Sequence, residues 1–220
     1  LAQLNSPCTA SKARGITGSS NPVGDSYDID YVAHEMGHQY GATHTFNSDA
    51  GGCGGNRTSS TSVEPGSGST IMAYAGLCAP ENIQNLSDDY FHQVSIQQMW
   101  YNISEGNSTC ATITDTGNSV PTIQDLSNYI VPVSTPLILD ANAADVNGDA
   151  LTYTWEQLDI ETADVPILST SKVGPSFKSI APTTSSKRYL PSLSTVLRGE
   201  IENQWEVLPS VARTMKFGVI

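Results

Sequence analysis

The sequence predicts an α+β chain with its helices in the first half and its strands in the second. Ile29, Val32, Ala33, Met36 and Tyr40 recur at i, i+3, i+4, i+7 and i+11, and Ile96, Met99, Trp100 and Ile103 repeat that helical spacing. Beyond residue 122 the period falls to two: Leu151-Thr152-Tyr153-Thr154-Trp155-Glu156 alternates apolar and polar side chains as a half-buried strand does. Between the helical stretches, 45–70 is rich in Gly, Ser and Thr and reads as loop. A chain of 220 residues accommodates one or two domains. The short polar run around 111–122 divides this one into 1–112, a linker at 113–122, and 123–220.

Composition narrows the function. Ten basic against 22 acidic residues give a net charge of −12, which argues against nucleic acid or an anionic membrane as partner. No run approaches the ~18 apolar residues of a membrane-spanning helix. The cysteines, Cys8, Cys53, Cys78 and Cys110, are even in number, and none stands as Cys-x-x-Cys. Two disulfides are therefore favoured over a structural metal cluster, with three pairings open.

The first helix carries the chemistry. It is expected to be capped by Asp25, Ser26 or Asp28, and its apolar stripe lies opposite His34 and His38. Four residues apart, these two histidines project from one face about a turn from each other and can share a metal ion, with Glu35 between them. A straight helix cannot supply the third ligand, so the chain must turn back. Gly41 can take the positive φ such a turn needs, and His44 then arrives from outside the helix. From the composition, a chance match to this histidine, glutamate and glycine pattern is expected roughly four times in a million such chains. Three neutral imidazoles leave one zinc position open. A water there has its pKa lowered from ~15.7 to about 7, and Glu35 would take its proton as it attacks a scissile carbonyl and pass the proton to the departing amine.

The run His34-Glu35-Met36-Gly37-His38-Gln39-Tyr40-Gly41-Ala42-Thr43-His44 resembles the metzincin signature, and Ile71-Met72-Ala73-Tyr74 resembles its methionine turn. Within the metzincins the chain is similar to reprolysin-like (adamalysin-like) peptidases, in a bacterial form fused to an immunoglobulin-like domain. Gly15-Ile16-Thr17-Gly18-Ser19-Ser20-Asn21-Pro22 and Pro65-Gly66-Ser67-Gly68-Ser69-Thr70 carry that likeness. Thr45 stands where eukaryotic reprolysins usually place Asp. Tyr74, two residues after Met72, matches instead the astacin-like and serralysin-like enzymes, where a tyrosine binds zinc or supports the oxyanion. The resemblance implies a zinc-dependent metalloendopeptidase, with His34, His38 and His44 as metal ligands and Glu35 as catalytic base. It further implies Met72 as floor of the site, Tyr74 as a catalytic helper, and protein or peptide substrates.

It also implies disulfides Cys8–Cys110 and Cys53–Cys78. The second would close a loop of about 25 residues for roughly 3 kcal/mol in the chain-entropy model, and both would suit a secreted or cell-surface protein. Only 33 residues precede His34, too few for a metzincin upper subdomain. The expectation is therefore a partial catalytic domain, the lower subdomain with its active-site helix and Met-turn, in which Leu1–Leu4 flank the cleft and pair with extended substrate. Residues 73–77 are expected to line the pocket for the side chain after the cut. Ser95-Ile96-Gln97-Gln98 reads as a capping box opening a helix over about 96–104, and His92 as a structural or surface residue.

In 123–220, strands are expected near 128–133, 136–139, 151–156 and 211–220, with a short helix near 193–197. Asp145-Val146-Asn147-Gly148-Asp149 is a turn that resembles those of Ig-like, PKD-like or cadherin-like modules. Its carboxylates could hold Ca2+, although a solvated turn is the commoner use. The second unit is expected to be a partial Ig-like β-sandwich. The rival reading is an adhesion or glycan-binding surface protein whose peptidase part is vestigial; an intact Glu35 and a complete ligand set disfavour it.

Overall fold

The computed structural model describes residues 1–220. Its elements bear out the α+β class. The first helical stretch runs as α1 (Asp25–Tyr27), a π-helical segment (Asp28–Ala33) and α2 (His34–Tyr40). No side chain caps it: Gly24, at φ 81°, occupies the position expected of Asp25, Ser26 or Asp28. The π segment accommodates more residues per turn than an α-helix, so the apolar stripe does not stay on one face. Ile29 and Ala33 pack inward against Met72, while Met36 and Tyr40 are 49% and 39% exposed.

α2 ends as the sequence requires. Gly41 is left-handed at φ 109°, the Gly41 amide bonds back to His38 O, and the Ala42 amide to Gly37 O, which is the Schellman arrangement. A single 3-10 turn (Gly51–Cys53) interrupts the long loop that follows. α3 (Gln93–Ser104) begins earlier than the capping box predicts. His92 is its N-cap, with Nδ1 accepting the Val94 amide, while Ser95 is buried within the first turn. Gln98 is occupied elsewhere, its Oε1 accepting the Thr43 amide at 2.9 Å. α3 packs on α2, and Asn102 Nδ2 donates to Tyr40 O. The disulfides join Cys8 to Cys110 and Cys53 to Cys78, as the resemblance implied.

The second half consists of β1 (Thr122–Ile123), β2 (Leu137–Asp140), β3 (Ala143–Ala144), β4 (Trp155–Gln157), β5 (Lys187–Leu190), the short helix α4 (Leu193–Leu197), β6 (Glu202–Asn203), β7 (Glu206–Val207) and β8 (Phe217–Val219). They form four antiparallel two-stranded ladders, β1 with β3, β2 with β5, β4 with β8 and β6 with β7. Leu139, Trp155, Phe177, Leu190, Leu208 and Val219 share one core. Residues 128–133 are not a strand, and Ile130 there is fully exposed. The segment at 151–156 is a strand only from Trp155, and all three residues of β4 are buried, so both of its faces are covered. The 145–149 turn folds around its own carboxylate, with Asp145 Oδ1 accepting the amides of Asn147 and Asp149. No helix is long and apolar enough to cross a membrane. Leu1–Leu4 contribute a single antiparallel bridge, Ala2 to Gly15.

The two halves are tightly joined. Ile160 O accepts from Arg57 and from Ser62, and Asn47 both donates to Glu161 O and accepts the Ala163 amide. Glu156, 1% exposed, takes the Gln93 amide at the start of α3 and the Ser179 hydroxyl, with His92 beside it. Tyr90 donates to Ser179 Oγ at 2.9 Å. His92 is thus a buried structural residue that caps α3, with Glu156 from the other half of the chain beside its ring.

Candidate active site

The three histidines of the signature come together. The groups able to ligate on His34, His38 and His44 lie within 4.8 Å of one another, and His38 Nε2 is 3.1 Å from His44 Nε2. Each ring is held by its other nitrogen. His34 Nδ1 lies 2.7 Å from Ile71 O, His38 Nδ1 2.8 Å from Ala42 O, and His44 Nδ1 2.7 Å from Asn56 O. A carbonyl oxygen only accepts, so each Nδ1 carries the proton and each Nε2 keeps a free lone pair. The Gly41 turn brings the Ala42 carbonyl back to His38, so the residue that ends the helix also orients the second ligand.

Two Nε2 lone pairs facing each other at 3.1 Å repel unless a cation lies between them. Zinc–nitrogen bonds of about 2.0–2.1 Å in a tetrahedral field place nitrogens a little over 3 Å apart, so the His38–His44 pair fits zinc in spacing and all three rings fit it in donor type and tautomer. Its protonation agrees. Burial first, then the neighbouring His38, pulls His34 down to about 3; burial likewise pulls His44 down to about 4 and lowers His38. All three are therefore neutral ligands at neutral pH.

Glu35 lies beside the cluster. Its Oε1 accepts from the Leu1 amino group, while Oε2 is buried with no partner. Tyr74 packs against the cluster, edge-on to the His44 ring with centroids 4.6 Å apart and tilted against His34 at 5.6 Å. Burial raises its pKa, with Glu35 adding in the same direction, so the hydroxyl remains a proton donor. Met72 is fully buried among Ala42, Ile71, Ile29, Ala33, Phe91 and Met99, and Thr45 donates its amide to Met72 O. Of 73–77, Ala73 and Ala75 are buried and Leu77 is 58% exposed.

Sequence reasoning missed the supports around these groups. The Ile71, Ala42 and Asn56 carbonyls carry no side-chain signature. Glu64 had one, as one of two carboxylates, with Asp49, in the Gly/Ser/Thr loop 45–70, and it is 1% exposed.

A fixed-tautomer three-histidine cluster beside a carboxylate with one buried, unpartnered oxygen is an arrangement able to hold a metal ion. The sequence profile of the family described as Metallo-peptidase family M12B Reprolysin-like matches residues 1–106, which cover the whole cluster and the methionine turn. Over that segment the chain is similar to reprolysin-like metallopeptidase domains. No curated protein and no solved structure matches the chain.

Proposed function

We propose that this protein is a secreted or cell-surface zinc-dependent metalloendopeptidase. The observation that carries the reading is the convergence of three Nε2 lone pairs, each ring locked through Nδ1, beside a buried carboxylate oxygen with no partner. The family match over residues 1–106 points the same way. His34, His38 and His44 would hold the metal. Zinc bound there supplies Lewis acidity, which activates water and polarises a peptide carbonyl.

The chain's own residues do the rest. Glu35 takes a proton from the attacking water and delivers it to the leaving amine, a role that suits an oxygen with no competing donor. Tyr74, protonated and beside two ligands, donates a hydrogen bond to the oxygen that gains charge on the carbonyl. Met72 closes the floor and keeps Ala42 and Ile71, whose carbonyls orient two ligands, in place. The two disulfides favour an oxidising compartment. For 123–220 we propose a module of Ig-like or PKD-like type, supported by the ladders β2 with β5 and β4 with β8 sharing one core through Leu139, Leu190, Trp155 and Val219.

The test is peptide cleavage by Glu35→Gln and Tyr74→Phe beside the parent, with zinc content measured for each. Glu35→Gln should retain zinc and lose activity by about 10²–10⁴-fold, and Tyr74→Phe should lower kcat with KM little changed. Undiminished cleavage by Glu35→Gln would refute the mechanism, and an unchanged kcat for Tyr74→Phe would remove that residue from it.

A further inference from the structure

We propose that Glu64 is a positioning residue of the metal centre, acting through Thr45 on His44 and through the 69–71 backbone on His34. This rests on the zinc reading above. Glu64 sits outside the signature, in the loop between the third histidine and the methionine turn, and its side chain is enclosed. Both carboxylate oxygens are fully engaged. Oε1 accepts the Thr45 hydroxyl at 2.6 Å and the Thr70 hydroxyl, while Oε2 accepts the Ser69 amide at 2.8 Å and the Thr70 amide at 3.1 Å. The backbone reinforces the link, since the Glu64 amide donates to Thr45 O and the Thr45 amide to Met72 O.

One carboxylate therefore ties together two strands of chain that each end on a ligand. Thr45 follows His44 directly. Thr70 precedes Ile71, whose carbonyl fixes the His34 ring through Nδ1. Gly68 shows how closely the turn is wrapped: at φ 65° it passes so near that a Cβ there would stand 3.2 Å from the Glu64 Cβ and Cδ. A carboxylate is an acceptor at both oxygens, which four converging donors require; an amide offers one acceptor and would set its NH2 against donors. The residue type is thus dictated by the donors, and the donors belong to the segments that aim two of the three imidazoles.

The experiment compares Thr45→Val, Thr45→Ser and Glu64→Gln with the parent protein. For each, the metal dissociation constant is measured by chelator competition, the electronic spectrum is recorded after loading with Co2+, and kcat and KM are determined beside a thermal melt. Thr45→Val removes the hydroxyl that reaches Glu64, and Thr45→Ser restores it. The expected result is 10–100-fold weaker metal binding for Thr45→Val, an altered Co2+ spectrum and a lower kcat at similar KM. Thr45→Ser should return to within about threefold of the parent, and Glu64→Gln, which sets an NH2 against converging donors, should depart from the parent at least as far as Thr45→Val. If Thr45→Val and Glu64→Gln melt lower yet keep the parent's metal affinity and Co2+ spectrum, Glu64 is structural only and the proposal is overturned. A parent protein that binds neither zinc nor Co2+ overturns the zinc reading itself, and this proposal with it.

Discussion

Gly37 lies between the first two ligands on α2, at a position where helix propensity alone favours alanine by about 0.8–1 kcal/mol. The structure predicts that Gly37→Ala destabilises the protein instead. A Cβ at residue 37 would run into the Met72 sulfur and stand 3.1 Å from the Phe91 ring. Met72 cannot swing away, because it is fully buried and packed by Ala42 and Ile71 with Ile29, Ala33, Phe91 and Met99 around them. Forcing a methyl into such a site costs typically about 1–3 kcal/mol, and with two obstacles the upper half of that range applies. After the propensity gain, a net loss of about 1–2 kcal/mol remains. Urea unfolding with linear extrapolation would read this as a lower midpoint at unchanged m-value. In a Met72→Ala background the closer obstacle is gone and only the Phe91 ring remains, so the cost of the same substitution should largely disappear. A gain of about 1 kcal/mol from Gly37→Ala in the parent protein would refute the view that Met72 is seated directly beneath the ligand helix.

Other consequences follow from burial and charge. His34, held at about 3, takes up no proton in the folded metal-free protein as pH drops below 6.5, whereas the unfolded chain does. Stability of the chelated protein should therefore be fully present above about pH 6.5 and fall toward acid by about 1.4 kcal/mol per pH unit from this residue. His44, at about 4, contributes with the same sign, and a melting temperature flat from neutral to pH 5 would contradict the buried-imidazole account. Glu156→Ala strands the Gln93 amide and the Ser179 hydroxyl and should cost about 3 kcal/mol, at roughly 1–3 for each buried donor left unpaired. Because Glu156 holds α3 from the far half of the chain, calorimetry should show the main transition moving as a whole; a shift confined to a separate minor transition would mean that the halves unfold independently.

The parts of the site visible in the sequence were those with a fixed local geometry. Four-residue spacing puts His34 and His38 on one helical face, Gly41 supplies the left-handed turn, and the turn fixes where His44 can go. The helix ends were less legible. Tertiary contacts override local capping signals, so His92 rather than Ser95 begins α3, and the π segment rotates Met36 and Tyr40 outward. In the second half the strands are two to four residues long, shorter than the windows in which a period of two can be read. Its polar residues were harder still: Glu156, Asn47 and Ser179 look like surface residues in sequence, and only their partners in the other half explain their burial. Thr45 is the same case, since its carboxylate partner comes from Glu64, 19 positions away.

The central claim is that three histidines and one glutamate form a working zinc site. It is tested most directly by metal content per chain, measured by mass spectrometry on the purified protein, together with peptide cleavage before and after chelation and zinc restoration. The account predicts about one zinc per chain, as one three-histidine site requires, with cleavage that chelation abolishes and zinc restores. A protein that carries no zinc, or cleaves equally well after complete removal of metal, would contradict it.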